Sequence, residues 1–273
     1  MVTASYQPAG PAPEPQGSAP EPGGTILQTH DLEKNYGAIR AVAGVSLRIA
    51  RGELVAIVGP NGAGKTTLLS VIAGEQRASG GRIELAGRDV TKAGAARRSQ
   101  FGIARTFQVG RAFRSLPVRD NVALARSVRL NRRWRIADNF TRDAGASPDV
   151  TDLLARLNLA DKAGTLAGNL AQGDLKRLDL AIALALEPKV LLLDEPTAGV
   201  GVDEAQAIAR LVVEMWHDSP GLAIVFISHD MSIVFEIANR IIVMHEGSVI
   251  LEGDAEQVRS DERVRALYLG ESL

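Results

Sequence analysis

The chain has 273 residues, of which 45% are hydrophobic and 23% charged, so it is large enough for one globular domain or a domain with a subdomain. A formal net charge of -1 gives no global field favouring nucleic acid as the partner, and the absence of cysteine excludes disulfides and cysteine metal sites. No apolar run approaches the roughly 18 residues needed to cross a bilayer.

The N-terminal segment, residues 1–24, carries half of the chain's prolines together with Ala, Gly and Ser, and has almost no large apolar residue. This composition predicts a disordered tail. The segment also lacks the early positive charge and the apolar core of a secretory signal. We therefore expect the folded domain to begin near Thr25.

Alternating apolar and polar residues over 25–30 and 43–50 predict strands of an antiparallel layer, which leads into an apolar strand at 54–58. Tyr36 lies between the first two segments. Its side chain is either a packed aromatic ring or a surface on which adenine stacks.

A glycine-rich loop follows the strand at 54–58 and opens into an apolar helical pattern. Its residues are Gly59, Pro60, Asn61, Gly62, Ala63, Gly64, Lys65, Thr66 and Thr67. They fit the pattern G-x-x-x-x-G-K-[ST], in which glycines let the backbone wrap phosphates and amides at the helix start attract the anion. In this pattern Lys65 reaches the β and γ phosphates and the Thr66 hydroxyl binds magnesium. The sequence therefore predicts nucleotide binding.

Two more strands are predicted at 82–85 and 102–106, and the second leads to Gln108. A neutral amide there is either a polar loop residue or a group that holds magnesium's water or the attacking water.

Helical periodicity from residue 118 to residue 159, with a mostly polar interruption at 138–148, predicts a helical subdomain inserted in an α/β core. We place this subdomain at about residues 110–186. It contains a run of arginines, which is either a solvated helix face or a surface for a partner or for anionic headgroups. The run comprises Arg126, Arg129, Arg132, Arg133 and Arg135.

The segment 169–174 opens a helix that is predicted to run to about Leu186, before Pro188. Gly173 leaves backbone amides free at this helix start. The segment is therefore a second candidate anion site.

The run 190–195 is almost wholly apolar and ends in Asp194 and Glu195, as expected of a buried strand that ends at the carboxyl edge of a parallel sheet. Beside a phosphate loop, Asp194 is placed to hold magnesium and Glu195 to take a proton from attacking water. The alternative is that these acids only cap the next turn. A further apolar strand, 223–227, places His229 at the same edge, where it is either structural or part of the site.

The end of the chain is predicted to form a short hairpin through Glu246 and Gly247, followed by a terminal helix over 255–269.

From about Thr25 onward this set of motifs resembles the ATP-binding subunits of ABC transporters. The corresponding motifs, in chain order, are the Walker A loop at 59–67, the Q-loop glutamine Gln108, the signature at 170–174, Walker B at 190–194, the catalytic glutamate Glu195 and the H-loop histidine His229. The resemblance implies an α/β fold with a P-loop NTPase core, in which a mixed, mostly parallel sheet carries an antiparallel β subdomain and an inserted helical subdomain. Tyr36 matches the family's adenine-stacking aromatic residue.

Segments 102–108, 114–116, 120–122, 191–199 and 266–270 further resemble the ATPases of branched-chain amino acid importers. Related importers of urea, short amides and other amino acids share much of this pattern. The alternatives are a soluble ABC protein without a permease, and an unrelated P-loop kinase or GTPase. No second ATPase unit or long coiled-coil insertion supports the first, and the signature, Q-loop and His229 together disfavour the second.

The resemblance implies ATP and Mg²⁺ as cofactors and ATP hydrolysis coupled to solute translocation. Thr66, Asp194 and Gln108 would serve the metal, His229 the γ-phosphate, and Ala171 and Gly173 the nucleotide of a second subunit. The implied partners are integral-membrane permease subunits, a second ATPase subunit and, indirectly, a periplasmic or extracellular solute-binding protein, with no nucleic acid. The implied location is peripheral, at the cytoplasmic face of the plasma (inner) membrane.

The chain departs from the family pattern at two places. Its signature reads Leu-Ala-Gln-Gly-Asp instead of Leu-Ser-Gly-Gly-Gln, so Ala171 lacks a phosphate-binding hydroxyl and Asp174 adds a carboxylate. Gly201 stands where the family's D-loop carries aspartate. Both departures favour a heterodimer, in which this chain supplies a complete Walker face and a weak signature.

Overall fold

The computed structural model describes residues 24–106, 112–129 and 148–267, and the elements in these ranges form two sheets with helices around them. The strands in chain order are β1 (Thr25–Tyr36), β2 (Ile39–Val45), β3 (Arg48–Ala50), β4 (Leu54–Val58), β5 (Gly80–Leu85), β6 (Arg88–Asp89), β7 (Ile103–Arg105), β8 (Val190–Asp194), β9 (Ala223–Ile227), β10 (Arg240–His245) and β11 (Ser248–Gly253). The helices are α1 (Lys65–Ala73), α2 (Ala95–Phe101), α3 (Val118–Arg129), α4 (Pro148–Arg156), α5 (Gln172–Leu184), α6 (Val202–His217), α7 (Met231–Ile237), α8 (Ala255–Ser260) and α9 (Glu262–Leu267).

The central sheet has six strands in the order β11-β10-β4-β9-β8-β7. Neighbouring strands from β10 to β7 run parallel, and only the edge strand β11 is antiparallel to its neighbour. Every residue of β4, β8 and β9 is buried, which explains their almost wholly apolar sequences. Parallel strands buried on both faces bring their carboxyl ends to one edge, where the site is built.

The second sheet is antiparallel, with the order β2-β1-β5-β6 and with β3 also paired to β1. It shares a core with one face of the central sheet. Alternate β4 residues divide between the two cores: Val55 and Ile57 face this core with α1, whereas Leu54, Ala56 and Val58 belong to the core on the helical side. The predicted mixed sheet with an antiparallel β layer is confirmed. So is the helical insertion, because α3 contacts both α4 and α5.

The segment predicted as one strand over 43–50 is instead split, with β2 ending at Val45 and β3 beginning at Arg48. The side chain of Thr29 explains the break. Its hydroxyl donates to the carbonyl of Val45 and accepts the amide of Leu47, each at 2.9 Å, so side-chain hydrogen bonds occupy the point where pairing of β1 passes from β2 to β3.

The terminal helix predicted over 255–269 is also interrupted, because Asp261 separates α8 from α9. The carboxylate of Asp261 accepts the backbone amides of Arg263 and Val264, so it caps the start of a new helix. Residues 1–23 of the predicted tail and residues 268–273 lie outside the described ranges.

Candidate active site

The phosphate loop and the polar residues after two neighbouring strands meet at the carboxyl edge of the central sheet. Gly59 follows β4, Asp194 ends β8 and His229 comes two residues after β9. Because β4, β9 and β8 are adjacent parallel strands, their ends are neighbours in space. Side chains that are far apart in the sequence are therefore brought to one place.

Two glycines of the loop lie where no side chain fits. Gly59 has φ 145° and Gly64 has φ 95°. A Cβ on Gly59 would stand 2.1 Å from the carbonyl oxygen of Met244, and one on Gly64 would stand 2.1 Å from that of Ala41. The loop is thus pressed against β10 and β2, and only glycine permits this path.

Helix α1 begins at Lys65 directly after the loop. No side chain caps its first turn, and that turn contains no acidic residue. Its first amides therefore keep their capacity to bind an acceptor, and the positive end of the helix dipole favours an anion there.

Lys65 is 5% exposed, and its ammonium group donates to the carbonyls of Gly59 at 2.7 Å and Pro60 at 3.0 Å. Burial lowers the pKa of Lys65, while the charges of Glu195 and Asp194 act to raise it. The cation is thus held against the loop by carbonyl dipoles, beside two acids.

Asp194 and Thr66 supply the oxygen pair predicted for magnesium. The Thr66 hydroxyl donates to Oδ1 of Asp194 at 3.3 Å. A hydroxyl and a carboxylate are hard oxygen ligands suited to Mg²⁺, which usually keeps waters and phosphate oxygens as its other ligands. In the described part of the chain no group of three His, Cys, Asp or Glu side chains could hold a metal ion.

Glu195 leaves the strand in an unusual conformation, with φ 51°. Its Oε1 lies 2.8 Å from Nε2 of His229, and its amide donates to the carbonyl of Ile227 at 3.1 Å. The sequence predicted both side chains at this edge, and the structure brings them into direct contact. The pair can hold a water and accept its proton.

Two buried cations lie next to these acids, and the sequence analysis did not predict either as a site residue. Arg105, at the end of β7, pairs with Asp194 at 2.6 Å. Lys176, in α5, donates to the backbone carbonyl of Glu195 at 3.2 Å. A charged residue closing an otherwise apolar strand beside β8 was the available signal for Arg105, whereas nothing in the spacing indicates the contact of Lys176.

Tyr36 ends β1 and is 45% exposed, with the ammonium of Lys34 4.8 Å from its ring centroid. It pairs with Ile39 at the start of β2, the strand whose Ala41 touches the phosphate loop. An exposed ring on a hairpin beside the loop is consistent with base stacking. Gln108 lies outside the described residues.

The signature segment lies at the start of α5. Ala171 is the N-cap residue and offers no side-chain bond, and a Cβ on Gly173 would stand 2.3 Å from Oε1 of Glu204. Among the residues that the structure describes, no hydrogen bond joins Ala171 or Gly173 to the phosphate loop of the same chain.

The charge of Asp174 is compensated inside the chain. This side chain is buried, with Oδ2 2.7 Å from Lys162 and Oδ1 3.3 Å from Arg177, which also binds Glu204 at 2.7 Å. The hydrogen bond to Asp174 raises the pKa of Lys162. A bound phosphate would therefore meet less negative charge here than the sequence alone suggests.

Part of the arginine run makes ion pairs within the chain. Arg126 contacts Glu187 and lies 3.0 Å from Asp149, and Arg129 lies 3.4 Å from Glu187. Arg126 thus ties α3 to α4 and to the turn after α5 through acids that are themselves exposed. Arg132, Arg133 and Arg135 are outside the described residues.

Comparison with known families gives a match of residues 42–198 to the family described as ABC transporter. The chain belongs to this family. As an ABC ATP-binding cassette it binds nucleotide and hydrolyses ATP, the general activity of the family. Residues 248–273 match a second family, described as branched-chain amino acid ATP-binding cassette transporter.

Individual relatives match this ABC cassette over nearly their whole length. The high-affinity branched-chain amino acid transport ATP-binding protein LivG of Salmonella typhimurium is 33% identical, over 90% of this chain and 98% of the relative. The corresponding protein BraF of Pseudomonas aeruginosa is 32% identical over the same shares.

Solved structures of ABC cassettes have the same fold as this chain. A nucleotide-free ATP-binding cassette from an ABC transporter has a TM-score of 0.77 and 30% identity, and the match covers 90% of this chain and 100% of that one. The ADP conformation of an ABC transporter cassette gives the same TM-score and identity, over 90% and 99%. No helix among the described residues of the ABC cassette is long and apolar enough to span a membrane.

Proposed function

We propose that this ABC ATPase powers an importer of branched-chain or closely related amino acids, using Mg²⁺-bound ATP. The observation that carries the catalytic part is the meeting of Lys65, the Thr66–Asp194 pair and the Glu195–His229 pair at one sheet edge. The names of the relatives LivG and BraF support the class of solute.

In this proposal each group has one task. The loop amides and Lys65 bind the β and γ phosphates, and Thr66 and Asp194 hold the magnesium, which withdraws charge from the phosphate oxygens when it is bound. Glu195 orients the attacking water and accepts its proton. His229, 2.8 Å from Glu195, restrains that carboxylate and lies where it can reach the γ-phosphate.

The proposed second ATPase subunit is argued from the signature of this chain. Ala171 and Gly173 are proposed to face the nucleotide of a second ATPase subunit, with permease subunits in the membrane and a solute-binding protein outside. Ala171 has no hydroxyl to offer, and a hydrogen bond to a charged group is worth roughly 1.5 to 3 kcal/mol. A heterodimer with a subunit that carries a complete signature therefore explains the sequence better than a homodimer.

ATPase assays of the reconstituted heterodimer test whether one of its two ATP sites does most of the hydrolysis. Glu195→Gln in this chain should abolish most ATP turnover, whereas the equivalent change in the partner should have little effect. Equal losses from the two changes would contradict the heterodimer with one dominant site.

Uptake by the complete transporter in vesicles tests the solute. ATP-dependent accumulation of labelled leucine, isoleucine or valine supports the proposal, with an uncharged Lys65→Ala variant as the inactive control. Accumulation of urea or short amides, but not of amino acids, would move the chain to the related class of importers.

A further inference from the structure

Arg105 is a buried guanidinium beside the proposed magnesium ligands. Its side chain is 6% exposed. One terminal nitrogen donates to Oδ2 of Asp194 at 2.6 Å. The other donates to the Ser70 hydroxyl at 2.7 Å and to Glu75 at 2.6 Å. A single side chain from β7 therefore joins the end of β8 to α1 and to Glu75, the second residue after α1.

This contact determines which oxygen of Asp194 faces the phosphate loop. Oδ2 is engaged by Arg105, and Oδ1 is the oxygen that accepts the Thr66 hydroxyl at 3.3 Å. Ser70 lies one turn after Thr66 on α1, and its hydroxyl also donates to the Thr66 carbonyl at 2.7 Å. Arg105 thus fixes Asp194 relative to the helix that carries the other metal ligand.

The buried negative charge of Asp194 requires a cation such as Arg105 beside it. Only 1% of the Asp194 side chain is exposed, and a carboxylate buried to this extent costs several kcal/mol unless a cation and hydrogen bonds compensate it. A planar guanidinium serves two separate sets of acceptors at once, which an ammonium on a flexible chain does poorly.

We propose that Arg105 is a positioning residue that holds one oxygen of Asp194 toward Thr66, and thereby sets how far magnesium strengthens ATP binding and supports turnover. This inference rests on the proposed function of the site. Arg105 itself need not touch ATP or the metal, because it acts through the orientation of Asp194.

The decisive measurement is the ratio of ATP affinities with Mg²⁺ and with EDTA, obtained by calorimetry on the full chain. We expect Arg105→Met to lower this ratio at least fivefold while ATP affinity in EDTA stays within threefold, because the loop and Lys65 are intact. In the reconstituted ATPase, kcat should fall 10- to 100-fold, a loss typical of small misplacements, and KM for ATP in Mg²⁺ should rise in line with the weaker binding. Arg105→Lys should recover part of the ratio.

Arg240→Met is the matched control. Arg240 is also a partly buried arginine with two carboxylate partners, Glu53 at 2.7 Å and Glu252 at 2.6 Å, but it begins β10 at the opposite edge of the sheet. Its loss should lower the melting temperature and leave the Mg²⁺ ratio unchanged.

The possible results separate the two claims. If the wild-type chain binds no ATP in either buffer, the proposed function and the role of Arg105 both fail. If the wild type shows the Mg²⁺ ratio and folded Arg105→Met keeps it, only the role of Arg105 is overturned. If Arg105→Met does not fold, Arg105→Lys decides: an unchanged ratio there rejects the role.

Discussion

Three hydrogen bonds hold Glu195, whose backbone has the positive φ angle described above. Its side chain meets His229, its amide donates to Ile227 and its carbonyl accepts Lys176. Removing the basic oxygen while keeping the shape should affect chemistry and leave nucleotide binding intact.

Glu195→Gln is therefore expected to lower ATP turnover by about 100-fold or more, the usual contribution of a general base, and to change ATP affinity less than threefold. Phosphate release and calorimetry on the same preparation measure the two quantities. Substantial turnover in the variant would show that another group accepts the proton.

Asp179 offers a test by pH. Burial raises its pKa to about 6, and the charge of Lys176 acts in the opposite direction. Because this pKa is above that of the unfolded chain, the neutral carboxyl favours the folded state: this stability is complete below about pH 4 and is lost as pH rises through about 6.

Relative to Asp179→Asn, the wild type should therefore gain on the order of 2 to 3 kcal/mol in free energy of unfolding between pH 7 and pH 4. Urea unfolding at the two pH values measures the difference. A constant difference would mean that Asp179 titrates normally in the folded chain.

At the scale of single residues, sequence reasoning identified the groups whose identity is fixed by phosphate chemistry. Lys65, Thr66, Asp194, Glu195 and His229 meet at the carboxyl edge of the sheet, where the sequence placed them. Arg105 and Lys176 were not identified as site residues, because their roles depend on which side chains reach across between elements, and spacing carries no such information.

At the scale of elements, α1 is held at its far end by Arg98, which is 1% exposed. Its guanidinium donates to the carbonyls of Val71 at 2.6 Å and Ile72 at 2.7 Å, the last turn of α1. It also bonds three carbonyls between β6 and α2. Burial lowers the pKa of Arg98 to about 10, so it stays charged at neutral pH.

Arg98→Met should cost about 3 kcal/mol in free energy of unfolding, because buried carbonyls lose their donor. Arg97→Met is the control: Arg97 is the exposed neighbour of Arg98 on α2, and its replacement should change stability by less than about 0.5 kcal/mol. Chemical denaturation measures both. Equal losses of stability in the two variants would contradict a stabilising role for the buried hydrogen bonds of Arg98.

Element boundaries were harder to predict than element types. The strand over 43–50 and the helix over 255–269 had the right periodicity, yet Thr29 and Asp261 divide them through hydrogen bonds to backbone amides. Periodicity reports which face is buried, and it does not report where a side chain replaces a backbone hydrogen bond.

At the scale of the whole molecule, nucleotide binding should add to global stability, because the groups that bind ATP are brought together only when β4, β8 and β9 form one sheet. At an ATP concentration 100 times its dissociation constant, in Mg²⁺, the free energy of unfolding should rise by about 2.7 kcal/mol. Thermal unfolding with and without ATP measures this. Lys65→Ala should lose most of the increase, and an undiminished increase would place the bound nucleotide elsewhere.

The contact between Arg98 and the end of α1 also shapes the electrical field of the phosphate loop. A helix of 9 residues is only about 14 Å long, so its negative pole lies little more than a screening length from its positive pole. The guanidinium covers that negative pole. A phosphate at the opposite end is therefore opposed less by that negative pole, so about two and a half turns attract the anion much as a longer helix would.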